Sequence, residues 1–319
     1  MTEKSKKFNI GSFRELGIFA AFLLILVTLM ILSPNAFARP ANLINILKQA
    51  SINGILAAGM MFVIISGGID LSVGSIVALS GVIAASFAHP GEFPFIVPLV
   101  LAIVVGGLVG LVNGIGVAYG SVPPFIVTLG TMTIVRGVAL IAANGQPVFG
   151  VTDTFEALAG GFVLGFIPNL VVYFIIITLV LAFIITSTVF GRRVYAIGGN
   201  ETAAKVSGIN VERVKVAVYT LCGVLAGFAG ILLASRIISG NPTSGQSYEL
   251  DAIAAVIIGG VSMTGGAGKW YGTVIGALLI AVISNGLDIL NVSSHFQLII
   301  KGLIIIIAVL VDIKGKARQ

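Results

Sequence analysis

Leu170–Val189 runs for twenty residues without a charged side chain, and Phe95–Ala118 for twenty-four. At a rise of ~1.5 Å per helical residue, such runs match the ~30 Å hydrocarbon core of a bilayer, where a helix satisfies its own backbone. Composition agrees: 57% of residues are hydrophobic and 9% charged, at a mean hydropathy of +1.12. Soluble domains carry roughly a quarter charged residues, so a soluble globular fold is excluded. Eight further apolar stretches read as spans: Leu16–Leu32, Ser51–Ser66, Ser72–Ala88, Phe125–Ala142, Val216–Ser235, a short one ending near Gly259-Gly260, Gly272–Leu287 and Phe296–Val311. The expected fold is an all-α polytopic membrane protein of about ten transmembrane helices, forming one domain over residues 1–319. Arg39–Ala50 reads as an amphipathic connector, and Asn144–Pro168 as a polar loop.

The first stretch has a second reading. Lys4, Lys6, Lys7 and Arg14, then a charge-free run and Ala36-Phe37-Ala38, also fit a signal peptide. The run exceeds the usual ~7–15-residue signal core, so a retained first span is expected.

With the N-terminus placed inside, thirteen cations collect on the cytosolic face and only Arg39, Lys48, Arg136, Arg236 and Lys301 lie elsewhere. Cationic loops stay on the cytosolic side, so both termini are expected there. The net charge of +6 is therefore an orientation signal, and nucleic acid is not an expected partner.

Five of the cations sit in Gly191–Lys215, the one long polar island with apolar spans on both sides. Asn200 can cap a short helix with Glu201 in its first turn, followed by Thr202, Ala203, Ala204 and Lys205 and ended by Gly208. By local pattern alone this could equally be an ordinary surface helix.

Chemistry of the enzymatic kind has no foothold. His89 and His295 fall at predicted span ends, and no His/Cys/Glu spacing suggests a metal. Gly265-Gly266-Ala267-Gly268-Lys269 approaches a phosphate-binding loop, but Met263 stands where that motif needs glycine and Trp270 where it needs Ser or Thr. No catalytic residue, metal or bound cofactor is expected on this chain. Cys222 reads as a small core hydrophobe.

A path for a neutral, hydrogen-bonding solute could be lined by Asn53, Ser66, Asp70, Ser72, Asn113, Thr128, Thr131, Asn285 and Asp288. Helix contacts are the competing role for each. For Asp70 that role is a cap on the backbone of Ser72 or Val73. Glycines at 106, 110, 114, 223, 227, 272 and 276 have the small-xxx-small spacing of close-packed membrane helices. Gly67–Gly74 and Gly259–Gly266 echo one another, either by chance or as interrupted helices of a duplicated architecture.

Two sets of motifs carry a resemblance. Glu201-Thr-Ala-Ala-Lys-Val-Ser-Gly208 resembles the EAA loop of ABC importer permeases, with Thr202 where that motif has alanine. Ile64–Ser75, Pro123–Thr131, Gly191–Asn200 and Gly259–Gly266 are similar to the ribose/xylose/galactose-type ABC permeases, and the similarity covers nearly the whole chain. The resemblance implies a homodimeric permease bundle in the bacterial inner membrane. It also implies a cytosolic ATPase that holds ATP and Mg, and an extracytoplasmic sugar-binding protein. Residues 191–215 would be the coupling loop, and the substrate a monosaccharide, ribose foremost, with autoinducer-2, allose, xylose and galactose as alternatives. An ion-coupled secondary transporter is the rival class; it would more typically carry several acidic groups inside its spans.

Overall fold

The computed structural model describes residues 10–316. The chain folds almost wholly into helices: α1 (Ile10–Leu32), α2 (Pro34–Phe37), α3 (Pro40–Ile65), α4 (Val73–Ser86), α5 (Ile96–Ala118), α6 (Pro124–Ala142) and α7 (Asp153–Gly160). A two-residue antiparallel hairpin follows, β1 (Phe162–Val163) with β2 (Ile167–Pro168). Then come α8 (Asn169–Ser187), α9 (Val189–Gly199), α10 (Glu201–Val206), α11 (Val211–Ile237), α12 (Tyr248–Ile258), α13 (Trp270–Ile289) and α14 (Ser294–Lys316).

Among the described residues, six helices are long and apolar enough to cross a membrane: α3, α5, α6, α8, α11 and α13. The helix α3 is the central post, with 89% of its apolar window buried, whereas α6 is the least covered at 17%. Two expected spans are shorter than a bilayer. With 14 and 11 residues, α4 and α12 reach only about 21 and 17 Å against a core of ~30 Å.

One expected boundary is corrected. Arg39–Ala50 and Ser51–Ser66 are not a connector and a separate span but one continuous helix, α3, of 26 residues. Pro40 sits in its first turn, where a missing N–H costs nothing, and no further proline or cap interrupts it before Ser66. Asn42 and Asn285 exchange amide hydrogen bonds at 3.0 and 2.8 Å, tying the start of α3 to α13.

The α5–α11 seam explains the glycine spacing. A Cβ at Gly106 would strike the Gly223 carbonyl, one at Gly110 the Tyr219 carbonyl, and one at Gly114 would lie 2.7 Å from Val216 Cα. The helices run antiparallel at backbone contact, a closeness only glycine permits, and packing supplies the association that hydrophobic exclusion cannot give in lipid. Gly110→Leu should therefore push the seam apart. We expect a loss of about 1–3 kcal/mol or more, read as a lower thermal midpoint in detergent; an unchanged midpoint would contradict the seam.

Candidate functional site

The polar island folds as two short helices that sit against the start of α11. Thr188 Oγ1 accepts from the Gly191 amide to begin α9, which buries Gly191, Val194 and Ile197 along one face and leaves Arg192 and Arg193 exposed. Asn200 Oδ1 accepts from the Ala203 amide at 2.9 Å, capping α10. At the other end the Gly208 amide donates to the Lys205 carbonyl and the Ile209 amide to the Ala204 carbonyl, both at 3.1 Å. With Gly208 at φ +82°, this is a Schellman stop. Asn210 then caps α11 by accepting from the Arg213 amide at 2.9 Å.

The knob is pinned by charge and one buried methyl. Lys205 pairs with Glu212 and Lys215 with Glu201, each at 2.7 Å, crossing from α10 to the first turns of α11. Its hydrogen bond to Glu212 raises the Lys205 ammonium above its ordinary value. Ala204 is buried, but Thr202 and Ala203 are exposed and Val206 is 85% exposed. The doubly capped knob thus ends in one exposed apolar side chain. Beside it lies a cleft of about 400 Å³ walled by Arg193, Gly208, Asn210 and Arg213.

Behind the knob, α9 is wedged into two interior loops. The Gly266 amide donates to the Ile65 carbonyl at 2.9 Å, and a Cβ on Gly198 would collide with that carbonyl and lie 2.5 Å from the Gly266 amide. Tyr195 Oη donates to the Gly268 carbonyl at 2.8 Å, and burial raises its phenol above the usual range. The end of α9 thus packs, backbone to backbone, against the end of α3 and the loop that follows α12.

The first of those loops continues inward to a buried polar knot. Asp70 Oδ1 accepts from the Ser72 amide at 2.9 Å and the Ser72 hydroxyl at 2.6 Å, while Asn113 Nδ2 donates to Ser72 Oγ at 2.8 Å. Thr128 Oγ1 reaches the Ile69 carbonyl at 3.5 Å and donates to Pro124 at 2.9 Å. Asp70, Ser72, Asn113 and Thr128 have no exposed surface, and Asp70 holds the Ser72 amide in the turn that leads into α4 without capping an amide of the helix itself.

The remaining sequence candidates lie apart from the knot. Ser66 bonds back to Val63, Asn53 is buried on α3, and Thr131 is half-buried on α6. Asn285 is committed to Asn42, and Asp288 accepts from Gln297 at 2.8 Å at an exposed position.

A second interruption was not visible in the sequence. Between α11 and α12 the chain turns at Ile238 (φ +56°) and continues as irregular backbone to Ser247 (φ +66°). Gly245 lies against the Gly74 carbonyl, and Gly74 lies against Glu249, so α4 and α12 begin side by side. Arg136 of α6 donates from Nη1 to the carbonyls of Pro242 (2.7 Å) and Ser244 (2.8 Å), and from Nη2 to that of Gly74 (3.3 Å). One guanidinium therefore holds both interrupted segments. Asp251, 4% exposed at its side chain, pairs with Lys301 of α14 at 2.9 Å. Turn-forming residues from Gly240 to Gln246 imitate a surface loop. The usable signal was Arg136 itself, since a cation inside a span requires acceptors that a regular helix cannot spare.

Residues 42–309 match the family model described as the branched-chain amino acid transport system / permease component. The chain belongs to this permease family. The permease is 45% identical to the ribose import permease protein of Bacillus subtilis over 99% of its own length and 98% of the relative's. It is 46% identical to the ribose import permease protein of Escherichia coli K12 over 92% of each chain. Identity to the D-allose transport system permease protein of E. coli K12 is 38%, over 97% and 95%. No solved structure matches the permease.

Proposed function

We propose that this chain is the membrane-spanning subunit of an ATP-driven monosaccharide importer, with ribose as its substrate. The observation that carries the reading is 45–46% identity, over nearly the full length, to two permeases named for ribose, against 38% to one named for D-allose. The chain works as a homodimer with a cytosolic ATPase that holds ATP and Mg and an extracytoplasmic binding protein that delivers sugar. Residues 1–319 form one permease domain, and residues 191–215 its coupling loop.

Ten segments enter the inner membrane in this reading: the six long helices together with α1, α4, α12 and α14. Both termini and the coupling loop are cytosolic. Asn200, Glu201, Thr202, Ala203, Ala204, Lys205 and Gly208 present the knob to the ATPase, supported by its capped geometry and bare Val206 tip. When the ATPase closes on ATP, α10 moves, α9 carries the displacement to Ile65 and Gly266, and the bundle exchanges inward- and outward-open shapes. The polar knot around Asp70, with Asn113 and Thr128, sits where that displacement arrives.

Reconstituting the permease with its ATPase and binding protein tests the reading across labelled ribose, allose, xylose, galactose and autoinducer-2. Accumulation of ribose that stops without ATP is expected. Uptake persisting on a proton gradient alone, with no ATPase present, would point to the secondary-transporter class instead.

A further inference from the structure

The cleft between α6 and the start of α12 holds about 560 Å³ and is open on one side. Thr133, Arg136, Gly137, Gln246, Ser247 and Glu249 line it together with the apolar Met132 and Leu140. We propose that this cleft is the sugar-contacting wall of the permeation path, a site for an uncharged polyhydroxyl solute.

Three observations carry it. First, α6 is the most exposed of the six long helices, yet it bears an arginine, and the wall opposite is irregular backbone. Cations, carboxylates and non-helical backbone are tolerated at membrane depth only against water or protein, so this cleft does not face lipid.

Second, its chemistry suits a sugar. Each hydroxyl of a monosaccharide both donates and accepts. The wall supplies a carboxylate acceptor at Glu249, an amide of both kinds at Gln246, hydroxyls at Thr133 and Ser247, and guanidinium donors at Arg136. The single positive and single negative group cancel, which favours a neutral ligand over an anion or cation. A volume of this order holds a small solute with water around it.

Third, the site is tied to the moving parts. Arg136 already bonds to Pro242, Ser244 and Gly74, so it is fixed in place, and any shift of α4 against α12 reshapes the wall. The cleft is thereby coupled to the displacement that reaches Ile65 and Gly266.

This inference rests on the sugar-importer reading. Its test uses the full reconstituted complex and the space at Gly137, where an added Cβ meets nothing within 4 Å. A Gly137→Cys chain should react with a charged, water-soluble thiol reagent, and labelled ribose transported with ATP should slow that reaction several-fold. The native Cys222 is buried and contributes little background. Thr133→Cys is the second reporter should Gly137→Cys fail to fold. In parallel, Glu249→Gln should raise the KM for sugar about tenfold and weaken discrimination between ribose and its deoxy analogues. A cysteine that stays unreactive would mean that the cleft faces lipid. A cysteine that reacts but is never protected, together with an unchanged Glu249→Gln sugar preference, would leave the cleft hydrated but off the path. Either result overturns the inference even while the unaltered complex still accumulates sugar. Absence of ATP-driven uptake in the unaltered complex instead counts against the importer reading.

Discussion

Gly208→Arg should reduce ATP-driven uptake to background in the reconstituted complex while the permease still folds. Gly208 sits at φ +82°, so any L side chain there adds strain of roughly 1–2 kcal/mol. Space is not the obstacle, since no atom lies within 4 Å of a Cβ at that position. The damage comes from outside: a long cation placed beside Arg193 and Arg213 fills the cleft and lifts a partner off the knob. Gly208→Asn separates the two effects, because asparagine tolerates the left-handed conformation without projecting as far. It should keep most of the uptake. Normal transport by Gly208→Arg would show that the knob does not transmit force.

Breaking the Asp251–Lys301 pair should cost the fold more than any surface change. Asp251 is nearly sealed from solvent and Lys301 is 17% exposed at its side chain. Lys301→Met would strand a carboxylate among apolar side chains, a loss of about 3–5 kcal/mol. Folded protein surviving detergent extraction should fall sharply. Removing both charges, in Asp251→Leu with Lys301→Met, should restore most of the loss, since a buried ion pair is worth little more than well-packed apolar groups. If the double variant fares no better than the single one, the pair is not what holds α14 to α12.

Local rules made the knob legible from sequence. Asn200, Glu201 and Gly208 each act within a few residues of themselves, and the structure places the cap, the acidic first turn and the glycine stop where those residues suggest. Apolar runs located the long helices for the same reason. What sequence could not show depends on tertiary contact. Arg39–Ala50 is polar enough to pass for a connector, yet its Ile46 and Ala50 are buried and the helix simply continues. The stretch from Gly240 to Ser247 has the composition of a surface turn, but Pro242 and Gly245 are buried because Arg136 and Gly74 fold over them.

Gly67–Gly74 and Gly259–Gly266 lie side by side, with Gly265 against the Gly67 amide, while the Gly240–Ser247 stretch before α12 lies against Gly74 at the start of α4. Interruption is set by which backbone finds partners, and short sequence similarity does not report that. The pathway candidates divide in the same manner: Asp70, Ser72, Asn113 and Thr128 converge because three helices meet there, whereas Asn285 finds Asn42 and Asp288 finds Gln297.

In the importer proposed above, force enters through α10. Ala203 is exposed on it, and a single cysteine there can be labelled with a membrane-impermeant reagent in sealed vesicles of known orientation. Labelling only from the cytosolic side, blocked when the ATPase is bound, is the predicted result. Labelling from the opposite side, or cytosolic labelling that the ATPase leaves untouched, would contradict it.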